Sequence, residues 1–415
     1  MALFEKYGVK DIRERKLSVY HFFWLMLLSA VEPSARGSLL QLIGFFLGII
    51  VIFPELQARV GGKLSKTAVS HRLNDVSWYL FRGVYNQLLT KYKHMLGATE
   101  VQFLGSFKDA LAVDGSVIKL GKQVEQLFQS VHKNKASLKL NTRYSLKLEV
   151  LTKLQVSSGK RHDSRFSFVT QEADRLYLVD LGYWSFKLMQ KIIDAGSFFV
   201  MRLKSSCDPL IVTVSTPQFQ HLVGKRLSDI TVWLQSQTDL TELDLVVQLS
   251  SAKKPQFKTD LRLVGLLYAG VWRFYVTNIF ETTFTPARIY DLYALRWQVE
   301  IFFNVIKNVL ALQNIISRNK NGIMIEIYAA LIFHLLTRIV IALTAQKTGQ
   351  SIHQFSVERS AKLIKGFFFA NMQAFFHKSL EVLDKIFAAL IDAVAHMGRR
   401  QTPHPINELE HQLNL

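Results

Sequence analysis

Apolar and polar positions separate most clearly between Tyr293 and Lys307. No Pro or Gly interrupts this stretch, so at about 100° per residue it predicts one continuous helix. The apolar residues form a stripe about 100° wide, as on a core-facing helix: Leu295, Val299, Phe302, Phe303, Ile306 and Leu310. The polar residues fall on one line opposite: Tyr293, Arg296, Glu300, Asn304 and Lys307. This line is either a solvated face with weak pairing between turns or one wall of a site.

Two strand-like apolar runs each lead into an acid. Residues 111–113 precede Asp114, and residues 176–179 precede Asp180. Gly115 directly follows the first acid and is predicted to let the chain turn there. An acid at a strand end is often only a turn former or a cap. However, α/β sheets carry their sites at the carboxyl ends of strands, so two such acids favour a shared site.

Changes in the pattern of apolar and polar residues divide the chain into five regions. The second region contains a strand, helix, strand unit that begins with the run before Asp180, and the third has short strand-like runs without clear helices. The fifth is helical and is predicted to end in an extended basic and polar tail from Gly398. The predicted boundaries are 1–100 (helical, DNA-binding), 101–206 (first part of an α/β core), 207–284 (β-rich insertion), 285–320 (second part of the core) and 321–415 (helical).

A helical hairpin is predicted near the end of the first region. Pro54–Val60 reads as a short helix, Gly61–Gly62 as a turn, and Ser65 as the cap of a second helix that carries Lys66 and Arg72. This order is compatible with a helix-turn-helix DNA reader, although any helical hairpin has the same pattern. We therefore predict that Lys66 and Arg72 contact DNA.

The chain is strongly basic. Its 51 Lys and Arg against 32 Asp and Glu give a net charge of +19, which favours a polyanionic partner, with nucleic acid ahead of a membrane surface. The segment from Lys119 to Arg161 contains ten basic residues and two acidic ones. Apolar residues alternate there with polar ones, which predicts strands with a buried face and a basic outer face. The predicted outer positions are Lys139, Asn141, Ser145, Lys147 and Glu149.

Two apolar stretches raise the question of a membrane. Leu39–Phe53 is shorter than the roughly 20 residues that span a bilayer. Ile323–Leu343 contains three ionisable residues, each costing about 2.5–3.5 kcal/mol or more in lipid, so both are predicted to be buried helices. The single cysteine, Cys207, leaves no internal disulfide or cysteine-based zinc site, as in a reducing compartment. No apolar segment follows the first basic residues, so no signal peptide is expected.

The acids and bases together suggest phosphoryl transfer. Carboxylates that converge from Asp114, Asp180 and Glu300 are the oxygen ligands that Mg²⁺ prefers. Two such ions about 4 Å apart can activate a water or a 3′-hydroxyl and stabilise the leaving oxygen. Arg296 with its planar fork and Lys307 as a point charge would neutralise and fix a phosphate.

At this point the sequence resembles a known family, the bacterial insertion-sequence transposases of the DDE type, and specifically their IS-four group. The resemblance covers about residues 105 to 320. It depends on the spacing Tyr293-x2-Arg296-x3-Glu300-x6-Lys307, the Tyr-Arg-Glu-Lys signature of that group. Supporting residues are Asp114-Gly115-Ser116, Asp180-x-Gly182-Tyr183 and Thr277-Asn278.

The resemblance implies an RNase H-like catalytic core, interrupted by a β-rich insertion and flanked by helical regions. Such enzymes cleave transposon ends with water and join the 3′-hydroxyl to target DNA. They use Mg²⁺ or Mn²⁺, two ions per site, in a homodimeric synaptic complex on double-stranded DNA in the bacterial cytoplasm, at the nucleoid. The carried-over roles are metal binding and catalysis for Asp114, Asp180 and Glu300, and contact with DNA phosphate for Tyr293, Arg296 and Lys307.

Two positions qualify the resemblance. At position 181 this sequence has Leu where many relatives have Arg. The change removes a possible contact with the DNA backbone and leaves the metal ligands unchanged. Trp297 could stack on a base, but it points away from the polar line on the helical wheel, so a packing role is predicted. The alternatives are a catalytically inactive or repurposed DNA-binding protein derived from such a transposase, another RNase H-like nuclease, and a basic membrane protein, which the charges within the apolar runs disfavour.

Overall fold

A large mixed sheet forms the centre of the protein. The computed structural model describes residues 17–52, 57–58, 64–75, 78–97, 103–249, 257, 259–371 and 380–412. The strands are β1 (Asp109–Leu120), β2 (Ala136–Ser145), β3 (Val150–Ser158), β4 (Arg175–Val179), β5 (Phe198–Arg202), β6 (Leu210–Val214), β7 (Glu242–Gln248), β8 (Leu261–Tyr268) and β9 (Val271–Thr277). They form one sheet in the order β3-β2-β1-β4-β5-β9-β8-β7-β6. The pairs β1–β4 and β4–β5 are parallel, and the other neighbours are antiparallel.

Helices surround the sheet and make up most of both ends of the chain. Those with described bounds are α1 (Val19–Ser29), α2 (Leu39–Val51), α3 (Lys66–Asp75), α4 (Trp78–Met95), α5 (Phe186–Asp194), α6 (Thr231–Ser236), α7 (Pro286–Ala294), α8 (Trp297–Asn304), α9 (Lys320–Thr348), α10 (Val357–Ala370), α11 (Leu380–Met397) and α12 (Pro405–Gln412). Hydroxyl caps begin several of them, since Ser38 accepts from the Gln41 amide and Ser356 from the Arg359 amide.

The sheet separates two hydrophobic cores, because successive side chains of a strand point to opposite faces. One core includes Ala110, Ala112, Leu176 and Leu178 and is shared with α7, α8 and α9. The other includes Leu111, Val113, Tyr177 and Val179 and is shared with α5, β7 and β8. The predicted apolar stripe of 295–310 lies in the first core, with every member at most 5% exposed. That prediction is confirmed.

Helix α9 is the one helix in the described part of the chain that is long and apolar enough to cross a membrane. Of its most apolar window, 83% is buried inside the protein. Its ionisable residues Glu326, His334 and Arg338 are buried with it, and Arg36 Nη1 lies 2.6 Å from Glu326 Oε2. The helix is therefore a central core element, as predicted for its apolar run.

The prediction of a turn at Gly115 is wrong. β1 continues past Asp114 to Leu120, because β2 pairs with it in antiparallel register as far as Leu120 and Ala136. What ends at this point is the parallel pairing with β4, whose last pair is Val113 with Val179. Asp114 of β1 and Asp180, which directly follows β4, therefore both lie one residue beyond the last parallel pair of the two strands.

The prediction of one continuous helix from Tyr293 to Lys307 is also wrong. α7 ends at Ala294 and α8 begins at Trp297. At the junction the amides of Arg296 and Gln298 donate to carbonyls three residues back rather than four, so a tighter turn separates the helices. A π-helical turn, Val305–Val309, follows α8. The junction places Arg296 at the start of α8.

Three further predictions need correction. Asn141, Ser145 and Glu149, predicted on an outer face, are 1%, 0% and 3% exposed. The C-terminal tail is not extended, because α12 forms within it and Ile406 is fully buried. In 207–284 the strand-like runs form strands β6 to β9 as predicted, but short helices, among them α6, lie between them.

A buried ionic cluster ties the β2–β3 connection to the C-terminal helices. Glu149 lies between Arg338 Nη1 at 2.5 Å and His353 Nδ1 at 2.8 Å, with His404 Nε2 at 3.3 Å. Burial alone would raise the pKa of Glu149, but the Arg338 charge and the His353 hydrogen bond hold it far below its usual value. His404 also contacts Gln298 of α8, with 3.0 Å between Nε2 and Oε1. The cluster therefore connects the C-terminal region to α8.

Candidate active site

Arg296 joins two of the predicted acids. Its Nη1 lies 3.1 Å from Asp114 Oδ2, and its Nη2 lies 2.8 Å from Glu300 Oε1. Asp114 has the same strand parity as Ala110 and Ala112, so its side chain points to the face that α8 covers. Arg296 is 182 positions from Asp114 in sequence, yet its guanidinium holds Asp114 and Glu300 together.

Asp180 completes the group of three acids. It directly follows β4 and caps a short 3₁₀ turn, where its Oδ2 accepts from the Gly182 amide at 3.3 Å. Burial raises the pKa of Asp114 to about 6, the Gly115 amide and Arg296 oppose the rise, and the charges of Asp180 and Glu300 add to it. The three carboxylates therefore interact electrostatically in one place.

Tyr293 and Lys307 flank this group. The Arg296 guanidinium carbon lies 5.8 Å from the centroid of the Tyr293 ring, and burial raises the pKa of Tyr293 to about 12. Lys307 Nζ donates to the Val117 carbonyl oxygen at 3.1 Å, so it fastens the π-helical turn to β1. Asn304 pairs with Asn308 instead of joining the group.

A fourth acid lies beside the site, and the sequence pattern did not reveal it. Asp163 begins a 3₁₀ turn between β3 and β4, and Lys139 Nζ lies 3.0 Å from its Oδ1. A Cβ atom on Gly182 would be 3.4 Å from Asp163 Oδ2 and 3.7 Å from Asp180 Oδ2, so the two carboxylates are close. No apolar run precedes Asp163 in the sequence. Gly115 and Gly182, which lie against its carboxylate, are the sequence features that could have indicated a crowded site.

Gly115, which follows Asp114, is required for space beside the neighbouring side chains and not for a turn. A Cβ atom on Gly115 would lie 2.9 Å from Asn141 Oδ1 and 3.1 Å from Asp163 Oδ1. Tyr183, whose hydroxyl donates to Asn141 Oδ1 at 3.1 Å, closes the same side. Asn141 and Tyr183 thus form a hydrogen-bonded wall behind β1, and only a residue without a side chain fits against it.

Three further residues named from the sequence are not among the contacts of this group. Trp297 is 59% exposed, so the packing role predicted for it is wrong. Arg72 was predicted to contact DNA, but its side chain is 4% exposed and donates to the Leu17 carbonyl oxygen, which fastens α3 to the start of α1. Lys66 is exposed at the start of α3, and most of the predicted helix and turn before it, residues 53–56 and 59–63, lies outside the described residues.

A different trio has the spacing of a metal site. In the part of the chain that the structure describes, the ligand atoms of Glu149, His353 and His404 lie within 4.8 Å of one another. Arg338 and Arg400 are close to Glu149, and the Ile406 amide donates to His404 Nδ1. Two guanidinium charges and an occupied imidazole nitrogen make this trio an ion-pair cluster rather than the all-oxygen donor set that Mg²⁺ prefers.

Comparisons with known proteins identify a family. The family model described as "Transposase DDE domain" matches residues 105–336. Among curated proteins, the "Probable transposase for insertion sequence element IS5377" of Geobacillus stearothermophilus is 24% identical over 61% of this chain and 62% of its own length. The transposase for IS231F of Bacillus thuringiensis subsp. israelensis is 21% identical over 68% of this chain and 67% of its own.

Two further matches differ in coverage. The transposase for IS231D of Bacillus thuringiensis subsp. finitimus is 20% identical over 85% of this chain and 81% of its own length. The structure of the piggyBac transposase synaptic complex with hairpin DNA is 12% identical, covering 95% of this chain and 78% of that one. Its TM-score of 0.44 is too low to support an argument. The chain spans less than two thirds of the IS5377 protein.

Proposed function

The chain belongs to the DDE transposase family, whose domain model matches more than half of its length, and on that premise we propose that it cleaves DNA at the ends of an insertion sequence and joins them to target DNA. The observation that carries the proposal is the bridge from Arg296 to Asp114 and Glu300, with 3.1 Å and 2.8 Å between the paired atoms. We further propose that the chain belongs to the IS-four group, because its Tyr293, Arg296, Glu300 and Lys307 have the spacing of that signature.

Asp114, Asp180 and Glu300 are proposed to bind divalent cations, two Mg²⁺ or Mn²⁺ ions per site. Their all-oxygen donor set suits hard cations, and the raised pKa of Asp114 reflects a negative, poorly solvated site that a cation would stabilise. Bound cations would activate a water or a 3′-hydroxyl and offset charge at phosphorus.

The side chains around these acids position the DNA strand in this proposal. Arg296 neutralises Asp114 and Glu300 in the structure described, and its planar fork suits a phosphate with two oxygens in reach. Lys307 and Tyr293 supply a point charge and a phenol on either side. Because Asp114 lies on a strand and Glu300 on a helix, the reacting phosphate would meet a largely fixed arrangement.

The remaining elements of the proposal concern architecture and partners. We propose that β1 to β5 and α8 form an RNase H-like core, that residues 207–284 are an insertion within it, and that the helical ends flank it. Double-stranded DNA, both element ends and target, is the proposed substrate, bound by a homodimer in the synaptic complex. Lys66, exposed on α3, is proposed to contact DNA.

Cleavage of the element's own ends tests the proposal. Purified protein is mixed with labelled duplexes that carry the terminal sequences flanking its gene, in Mg²⁺ or Mn²⁺. Cuts are expected at the boundary between element and flank, and chelation of the metal is expected to abolish them. Binding to these duplexes without any metal-dependent cut would favour a repurposed DNA-binding protein instead.

Metal binding is expected to weaken below pH 6. Burial raises the pKa of Asp114 to about 6, so below that pH the carboxyl must lose a proton before it can bind a cation. The Kd for Mn²⁺ should increase up to about tenfold per pH unit between pH 6 and 5 and change little above pH 7. Calorimetric titrations at pH 5, 6, 7 and 8 measure this, and an affinity that stays constant from pH 5 to 7 would contradict it.

Asp163 is expected to strengthen cation binding without being essential. Its carboxylate is close to that of Asp180, and a unit charge about 8 Å from a bound cation contributes about 1 kcal/mol at an effective dielectric of about 40. Asp163→Asn should therefore raise the Kd for Mn²⁺ roughly fivefold. Asp239→Asn, at an exposed position on another part of the surface, is the control, and equal effects of the two substitutions would remove Asp163 from the site.

A further inference from the structure

A polar cavity lies at the opposite end of the paired strands from the acids. It has a volume of about 550 Å³ and opens where Asp109 of β1 pairs with Arg175 of β4. Asp109 and Asp114 are five residues apart on one strand, so the cavity lies about 17 Å from the carboxylate site. It shares none of its lining residues with that site.

Cations outnumber acids in its lining. The basic residues are Lys93, Lys108, Arg143, Lys147 and Arg175, against Asp109 and Glu172. Lys108 also pairs with Asp174 outside the lining, at 3.0 Å, yet an excess of two positive charges remains when Asp174 is counted. A cavity with this balance favours an anion.

Two guanidinium groups are fixed in place around the cavity. Arg143 donates to Thr152 Oγ1 at 2.9 Å and to the Phe168 carbonyl oxygen at 2.8 Å. Arg175 pairs with Glu172 and lies 3.8 Å from Asp109, but its Nε is buried without a hydrogen-bond partner among the described residues. A buried N–H donor without an acceptor is costly, so the side chain of Arg175, which lines the cavity, is not fully satisfied by its partners in the protein.

The cations in the cavity also destabilise one another. Burial lowers the pKa of Lys147; the charge of Asp109 opposes this effect and the smaller effect of Arg175 adds to it. Burial lowers the pKa of Arg143 too; the charge of Arg175 adds to the effect, and Tyr177 and Asp109 oppose it. A dianion among these groups would reverse the effect, because each cation would then gain an opposite charge.

We propose that this cavity binds a phosphate group, separately from the carboxylate site. Guanidinium forks and ammonium groups together recognise phosphate, and the hydroxyls of Thr152 and Thr170 in the lining add neutral donors. The phosphate belongs either to a DNA backbone or to a free phosphate ion or ester, since both present the same oxygens. The proposal goes beyond the proposed function and does not depend on DNA cleavage.

The test neutralises two lysines of the lining. In the double variant Lys93→Gln with Lys147→Gln, calorimetric titration with inorganic pyrophosphate should give a Kd about tenfold weaker than in the unsubstituted protein, as expected for two lost charge-assisted contacts. Lys225→Gln, which removes an exposed lysine elsewhere, should leave the Kd unchanged. Lys93→Gln alone, at an exposed position of α4, should give an intermediate Kd. This single variant keeps the test decisive if the double variant does not fold.

A second arm identifies the source of the phosphate. Binding of a duplex is followed by fluorescence anisotropy over a range of salt concentrations. If the cavity takes a DNA phosphate, the double variant should lower the slope of log K against log salt by about one to two. An unchanged slope with weakened pyrophosphate binding would identify a free phosphate as the ligand. A double variant equal to the unsubstituted protein in both arms would overturn the proposal.

Discussion

Glu300→Gln is expected to abolish DNA cleavage while DNA binding stays within about twofold. The amide keeps the size of the side chain and can still accept a hydrogen bond from Arg296, but it loses the charge that holds a cation. Loss of a metal ligand at the reacting phosphate should lower the single-turnover cleavage rate by about 10³-fold or more, which corresponds to about 4 kcal/mol of transition-state stabilisation. Cleavage of end-labelled duplexes and fluorescence anisotropy measure the two quantities.

Glu281→Gln provides the matched control. Glu281 is exposed and accepts from Ser106 Oγ at 3.0 Å, away from the three acids, so its substitution should change neither rate nor affinity. A Glu300→Gln protein that cleaves at close to the unsubstituted rate would remove Glu300 from the chemistry. Equal loss of binding and cleavage would instead make Glu300 a structural residue.

Glu149→Ala is expected to produce the largest loss of stability. Its carboxylate compensates Arg338, which is fully buried. Removing one partner of a buried pair leaves an uncompensated charge and costs about 3–5 kcal/mol. The pKa of Glu149 is depressed, so the stabilisation is present above the ordinary pKa of 4.5 and is lost as the pH falls below it. Urea denaturation at pH 7 measures the free energy of unfolding.

An exposed ion pair gives the comparison for this substitution. Lys347 and Asp392 have side chains that are 52% and 55% exposed, so Asp392→Ala should change the free energy of unfolding by less than about 1 kcal/mol. If Glu149→Ala were as mild as Asp392→Ala, Arg338 would have to find another partner, and the cluster would not tie the C-terminal helices to the sheet.

The sequence predicted those parts of the fold that depend on local pattern. The apolar stripe from Leu295 to Leu310 is buried as expected, and the runs before Asp114 and Asp180 are neighbouring strands. The four strands of 207–284 are also present. The stripe has one buried face, whereas the two runs before the acids are buried on both faces of the sheet. In each case local burial produced the apolar pattern, so the sequence itself contained the information.

The missed features depend on tertiary partners. Gly115 looked like a turn, but β2 extends the hydrogen-bonded ladder past it. Glu149 and Arg72 had the periodicity or charge of surface residues, yet Arg338 and the Leu17 carbonyl group compensate them in the interior. Asp163 lies in a short turn with no pattern around it. Sequence spacing cannot reveal contacts that are formed only when distant elements pack together.

The most direct test of the central claim, that Asp114, Asp180 and Glu300 form one metal-dependent site for DNA strand transfer, is a joining reaction. Pre-cleaved element ends with a free 3′-hydroxyl are incubated with the protein and a supercoiled plasmid in Mn²⁺. Covalent joining of the ends to the plasmid is expected, and it should be lost with chelator and in each of Asp114→Asn, Asp180→Asn and Glu300→Gln. Joining that persists in chelator, or in any one of these variants, would contradict the claim.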